Sequence, residues 1–342
     1  MGSANQITET PERVFYVKSR PQNADIIEIV RDEQRVFIGY PPWCAEYDPA
    51  DMASCVVNLR TASDGWRNEI SGYHQAMTTN RRFAQSVNIG WIVAIPRPGD
   101  GLCWLAEIAQ AFEVINDPPW RSRYLDMRRR LGLERSDEAS HVGDVVQSWR
   151  ISNLVSVPFG RIPRWISYRL LSRQTIGEIS GVRERELSAY PVLKRAIDGI
   201  SDPPLEETDD LIEIERRLLT FVSPAALEHL AVALLQVERP DEMWWHIGGS
   251  GDGGSDGLGY DRHWLQSGQV QCKWLFKGSR LSEIFEESRG TTKRILVSLI
   301  HGPVDEDVPN AMFWGSREIA VLVKKHSQEL SIARSLRICR GV

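Results

Sequence analysis

Between residues 243 and 276 a short aromatic run, Met243-Trp244-Trp245-His246, leads into a loop dense in glycine and aspartate. About a dozen residues later comes Gln269-Val270-Gln271-Cys272-Lys273-Trp274, in alternating register. Successive side chains of a strand point to opposite faces. Gln269, Gln271 and Lys273 therefore share one face, and Val270, Cys272 and Trp274 share the other. Asp256 ends the glycine loop and reaches the same place if its strand and the next form a hairpin. A carboxylate, an amide oxygen and an ammonium held together on a rigid element are what metal-assisted attack on a phosphodiester requires.

The stretch "GDGGSDG" followed by "VQCKW" resembles the active-site core of the Mrr-like restriction endonucleases, a branch of the PD-(D/E)XK nuclease superfamily. That pattern is an aspartate after a glycine-rich turn, then Gln-X-Lys on the next strand. The family also places a glutamate on a preceding helix, and "SPAALEHLAVALLQ" supplies Glu228. The resemblance spans roughly residues 211–300 and weakens beyond them. It implies a catalytic set of Glu228, Asp256, Gln271 and Lys273 working with Mg2+, for which Mn2+ could substitute. Asp256 would be the direct carboxylate ligand, and Gln271 offers an amide oxygen where many relatives carry glutamate. The Cys272 carbonyl would complete the set, with Glu228 acting through a metal-bound water. Lys273 would orient the attacking water or stabilise charge growing on the phosphate. With so few close carboxylates, the site is expected to be weak until phosphate arrives.

Each residue also has a plainer reading: Asp256 in a turn, Gln271 and Lys273 on a solvated strand face, Glu228 on a helix surface. Order and spacing together favour the nuclease. The glycine loop holds no G-x-x-x-x-G-K-[ST] and so is not a P-loop. It fails as an EF-hand because Gly254 takes a ligand position and His263 falls where the bidentate glutamate belongs. A single calcium β-roll copy has nothing to stack on. His246 and His263 flank the loop without metal-ligand spacing and read as partly buried strand residues. Cys272, on the core side of its strand, reads as a packed small hydrophobe rather than a nucleophile.

The elements that must position these groups follow. Ser223-Pro224 is a helix start, serine capping free amides and proline suiting the first position. Leu227, Leu230, Ala231, Leu234 and Leu235 form the helical stripe. Glu228, about 100° from Leu227, stands at its edge. "RLSEIFEESRGT" reads as a helix and "KRILVSLIHG" as a buried strand, while "SREIAVLVKKHSQEL" fits either. Residues 201–216 carry seven acids and a Pro-Pro pair, a composition shift that marks a boundary.

Upstream, "RVFYVKS" and "RVFIGYPPW" are strand-like, and residues 68–87 have helical spacing. "GWIVAIPRPGDGLCWLAEI" is a hairpin, and residues 119–143 read as an exposed insertion. "VVQSWRI" and "VSVPFGRI" return to strand character. The pieces "VFIGYPPW", "RRFAQSVNIGWIVAIPRPG" and "LCWLAEI" resemble PUA-like (EVE-like) domains, which implies a β-barrel reading nucleic acid, including a modified base. Tyr40, Trp43, Trp91 and Trp104 adjoin those pieces and are the candidates for a pocket holding a flipped base. The competing account is that such aromatics fill the core. An acid-free stretch with Arg150, Arg161, Arg164, Arg169 and Arg173 and interleaved aromatics suits a phosphate-tracking surface, or could pair with the acidic linker.

The chain of 342 residues is long enough for two cores. Its net charge of −5 excludes a protein coated in positive charge but not a local basic track. Five scattered cysteines without a C-x-x-C pair exclude a disulfide framework and a zinc knot, and fit a reducing cytoplasm. No apolar run approaches the roughly 20 residues of a membrane span. The expectation is therefore a PUA-like β-barrel domain over 12–178, a linker over 179–210 and an α/β nuclease domain over 211–342, a mixed sheet flanked by helices. It would cut foreign, including modified, double-stranded DNA in prokaryotic defence, as a homodimer or larger assembly on DNA and without a membrane partner. The alternative is a nucleic-acid sensor, or an RNA-directed PUA-like protein, with a silent nuclease fold.

Overall fold

The computed structural model describes residues 12–38, 79, 82–115, 118–133, 145–179, 187–247, 254–285 and 292–339. They fall into two units, one running to Ser201 and one from Asp202 onward, with Pro163–Trp165 grouping with the second. Both are mixed α/β.

The first unit is built on β3 (Ile92–Arg97) and β4 (Leu102–Val114), the hairpin legible in the sequence. All six residues of β3 are buried, so it reads as a continuous apolar run rather than an alternating one. Arg97 closes the strand. Its guanidinium, 1% exposed, donates to the Lys18 and Ser19 carbonyls at 2.6 and 3.2 Å and pairs with Asp25 at 3.0 Å. Around the hairpin lie β1 (Val14–Val17), β2 (Arg35–Phe37), β5 (Gln147–Pro158) and β6 (Ile176–Glu178), in the order β2-β5-β4-β3-β1-β6. Only β1 and β3 run parallel.

Three expectations for this unit are corrected. The described strands form an open sheet whose edges, β2 and β6, are three residues each, and no ladder joins them into the expected β-barrel. Residues 119–133 are not an exposed insertion: they contain helix α2 (Arg121–Arg130), anchored by buried Trp120 and Tyr124. The Trp120 indole donates to the Val145 carbonyl at 3.0 Å and its ring meets Phe37 at 5.5 Å. The stretch 179–210 is not simply a linker. It carries helix α4 (Ala189–Ile197), after α1 (Ile27–Glu33) and α3 (Arg164–Leu170) in the chain. Its Leu193 and Ile197 are buried, and Lys194 bridges to Glu107 at 2.7 Å. An amphipathic helix with a buried stripe belongs to the body it packs on. The helix predicted over 68–87 lies mostly outside the described residues, as do Tyr40 and Trp43.

In the second unit, β7 (Met243–His246), β8 (Gly257–Tyr260) and β9 (Gln266–Phe276) form an antiparallel meander. β10 (Lys293–His301) and β11 (Ala311–Trp314) add in parallel, giving the order β11-β10-β9-β8-β7. β10 is the buried strand the sequence announces. Residues 281–283 form a single 3-10 turn, residues 286–291 lie outside the described set, and the ambiguous stretch after residue 315 is helix α7 (Ser316–Lys325). Helix α5 (Leu211–Phe221) is capped by Asp210, which accepts from the Ile212 and Glu213 amides. Helix α6 (Pro224–Glu238) starts as expected, Ser223 Oγ accepting from the Ala226 amide at 3.2 Å, and all five residues of its stripe are buried. It packs on β7 and β9.

The glycines of β8 and β9 make room for one ring. A Cβ at Gly259 or Gly268 would stand 2.6 or 2.5 Å from the Trp244 indole, so the buried Trp244 lies flat over the meander only because both positions lack a side chain. Among the described residues no helix is long and apolar enough to cross a membrane.

Candidate active site

The hairpin that Asp256 needs is present, with Gly257 opposite Val270. Backbone bonds continue one residue further, from the Asp256 amide to the Val270 carbonyl at 2.8 Å and from the Ile247 amide to the Asp256 carbonyl at 3.0 Å. There β8 ends. The next β9 amide facing that edge belongs to Cys272, and the Asp256 carboxylate takes the place of a backbone acceptor. Oδ2 accepts from the Cys272 N–H at 2.6 Å, a short charge-assisted bond. In an extended strand a residue's N–H and C=O point to the same edge, so the Cys272 carbonyl faces the edge that Asp256 occupies.

The polar face of β9 is as the alternation predicts. Gly268, Val270, Trp274 and Phe276 are buried, while Gln269, Gln271 and Lys273 are half-exposed. The end of the glycine loop crosses this face. Ser255 Oγ donates to Gln269 Oε1 at 3.4 Å, and Gly254, at φ +87°, passes so close that a Cβ there would lie 3.3 Å from Gln271 Nε2. Gly254 suits this position by its left-handed backbone, and a side chain there would also press on the end of Gln271. Lys273 makes no hydrogen bond or ion pair with a described residue.

Glu228 stands on α6, which covers the Val270 side of the sheet, and it has a partner the sequence did not disclose. Its Oε2 lies 3.0 Å from Nε2 of His246, and the His229 ring stacks on His246 with centroids 4.2 Å apart. His246 is therefore not merely a partly buried strand residue. The signal available beforehand was alternation on β7, which puts Trp244 and His246 on the side that α6 covers. Burial pushes the Cys272 thiol well above the ordinary thiol range, the charges of Asp256 and Glu228 push it further, and Lys273 opposes them. The Cys272 side chain is half-buried rather than fully packed.

No cluster of three or more His, Cys, Asp or Glu side chains among the described residues is arranged to hold a metal. The oxygen donors this stretch of β9 and the residue beside it offer are the Asp256 carboxylate, the Cys272 carbonyl and, on the half-exposed face, the Gln271 side-chain amide. In donor type they fit a hard cation that keeps several of its waters, and not zinc or copper.

The first-unit candidates are dispersed. Arg150, Arg161, Arg169 and Arg173 are exposed, and none is ion-paired with a described residue; Arg164 is half-buried and groups with the second unit. Arg150 and Pro158, at opposite parts of β5, stand about 26 Å apart at ~3.3 Å per residue. One continuous track therefore reduces to the segment 161–173, with Arg150 apart. Trp91, 6% exposed, lies in the core with the Arg13 guanidinium 5.5 Å above its ring, so no base could stack on it without opening the core. Trp104 is half-buried and packs against the same core. Comparison with protein-family models, curated proteins and solved structures returned no match.

Proposed function

We propose that the protein is a Mg2+-dependent endonuclease acting on DNA, an Mrr-like member of the PD-(D/E)XK superfamily serving prokaryotic defence from the cytoplasm. The observation that supports the reading is the bond from the Cys272 amide to Asp256, which holds one carboxylate at the backbone of the Gln-X-Lys strand. Asp256, Gln271 and the Cys272 carbonyl would hold the cation, whose chemistry is to acidify a bound water and to neutralise phosphate charge. Lys273, on the same strand face as Gln271, would bind a phosphate oxygen and stabilise the charge that grows there. Glu228 would orient the attacking water. In the first unit, the exposed arginines of 161–173 would grip the DNA backbone, in keeping with a PUA-like recognition role that includes modified bases. Cutting both strands requires two such sites, hence a homodimer or larger assembly on DNA.

The test is purified protein on modified and unmodified phage DNA, with and without Mg2+, and with Mn2+ replacing it. Metal-dependent cutting that Lys273→Ala removes is the expected result. Tight binding without cutting under any metal would move the protein to the sensor reading, and preference for structured RNA over duplex DNA would move the first unit to the RNA-directed one.

A further inference from the structure

The row Glu228, Val232, Gln236 runs along α6 at a spacing of four residues, one face of a helix. Each member meets the meander differently. Gln236 clamps the start of β7: its Oε1 accepts from the Trp244 amide at 3.0 Å and its Nε2 donates to the Glu242 carbonyl at 2.9 Å. Val232 fills the space over Gly257, where a Cβ would lie 2.8 Å from its methyl. Glu228 closes the row on His246, at the other end of β7. The imidazole is fixed on two sides, by the His229 ring and by the Glu228 carboxylate. His246 also sits opposite Gly257, the residue after Asp256. A carboxylate accepts only, so the bond requires the ring's Nε2 to carry a proton. The Oε1 atom of Glu228 meets no described donor.

We infer that His246 is a positioning residue for Glu228. By donating from Nε2 to Oε2 it fixes the carboxylate's rotation and leaves Oε1 for the attacking water. This rests on the nuclease reading above. It adds to that reading a residue outside the Asp, Gln-X-Lys and Glu set, whose partner His229 locks the plane of the ring.

The experiment has two arms, both on the full-length protein. In the metal-free protein, long-range 15N NMR of the histidine ring should find His246 fixed as the Nε2–H tautomer in the wild type and mixed in Glu228→Ala. A mixed tautomer in the wild type overturns the inference. In Mg2+-dependent plasmid cleavage, His246→Phe keeps the ring packing but has no donor, and should lower kcat by roughly 10- to 100-fold, the usual cost of losing an outer-shell partner. KM for DNA and Tm should hold. His246→Gln, which keeps a donor at similar reach, should recover most of the rate. In a Glu228→Gln background the Phe substitution should add nothing, because both changes remove one function. Equal rates for His246→Phe and wild type, a Gln variant as slow as the Phe variant, or full additivity would each overturn the inference. The Gln variant and the tautomer measurement decide the matter if the Phe variant does not fold. A wild type that never cuts overturns instead the nuclease reading on which the role depends.

Discussion

Two hairpins, β3–β4 in the first unit and β8–β9 in the second, show how similar secondary structure serves opposite ends. In β3 every residue is buried and the strand ends on an arginine sealed by backbone carbonyls and Asp25. In β9 burial alternates, one face packing on Trp244 and α6 while the other keeps Gln269, Gln271 and Lys273 half-exposed. β8 is only four residues long, and its early end leaves the Cys272 amide to a carboxylate. A strand buried on both faces can only store stability. A hairpin covered on one face, with one partner strand cut short, has an open edge and a free row of polar side chains on which chemistry can be built.

The comparison breaks most sharply at Lys273. Lys273→Ala should lower cleavage by on the order of 100- to 1000-fold, about what losing one preorganised charge-stabilising group costs. Because Lys273 has no partner among the described residues, urea unfolding should be unchanged. Asp256→Asn should be comparably inactive while keeping an acceptor for the Cys272 amide. Asp256→Ala should also lose roughly 1.5–3 kcal/mol of stability, the contribution of a hydrogen bond to a charged group. Wild-type rates in Lys273→Ala would end the claim that this face does chemistry.

The opposite signature belongs to the first hairpin. Trp91→Ala, at the foot of β3, should cost roughly 3–5 kcal/mol in urea unfolding, as large aromatic truncations in cores do. Cleavage per folded molecule should persist. A stable Trp91→Ala protein that has lost a preference for modified DNA would return Trp91 to the base pocket expected from the sequence.

Replacing Arg161, Arg164 and Arg169 by alanine should weaken DNA binding and flatten its salt dependence, the slope falling by roughly one for each phosphate that is no longer neutralised. An unchanged slope would assign the segment to another surface. The smallest effect is expected at Ser223→Ala. Losing the cap of α6 should cost about 1 kcal/mol, with a modest fall in kcat because that helix carries Glu228.

Much of the second unit was legible in the sequence. Ser223, Pro224 and the five-residue stripe announced α6, and the alternation from Gln269 to Trp274 assigned the two faces of β9. The turn at Pro98–Gly101 announced β3–β4, although Pro96 and Arg97 proved to be strand residues. Helix α2 escaped detection because most of it is charged, and the residues that tie it to the core, Trp120, Tyr124, Met127 and a buried Arg128, make no continuous apolar stripe. Trp91 looked like a stacking candidate because a sequence does not reveal which aromatics face inward.

By itself the sequence determined what is local: helical and strand periodicity, capping residues, turn glycines, and which types of functional group share a strand face. These depend on backbone geometry over a few residues, which the chain encodes in its spacing. The tertiary structure decided the pairings at longer range. Asp256 meets the Cys272 amide 16 residues away, and Glu228 meets His246 18 residues away. Trp244 lies over two glycines from different strands. Each of these depends on where β8 stops and on how α6 is seated across β7. Those positions are set by the packing of the whole unit, through strand register and side-chain fit, and no window of sequence contains them.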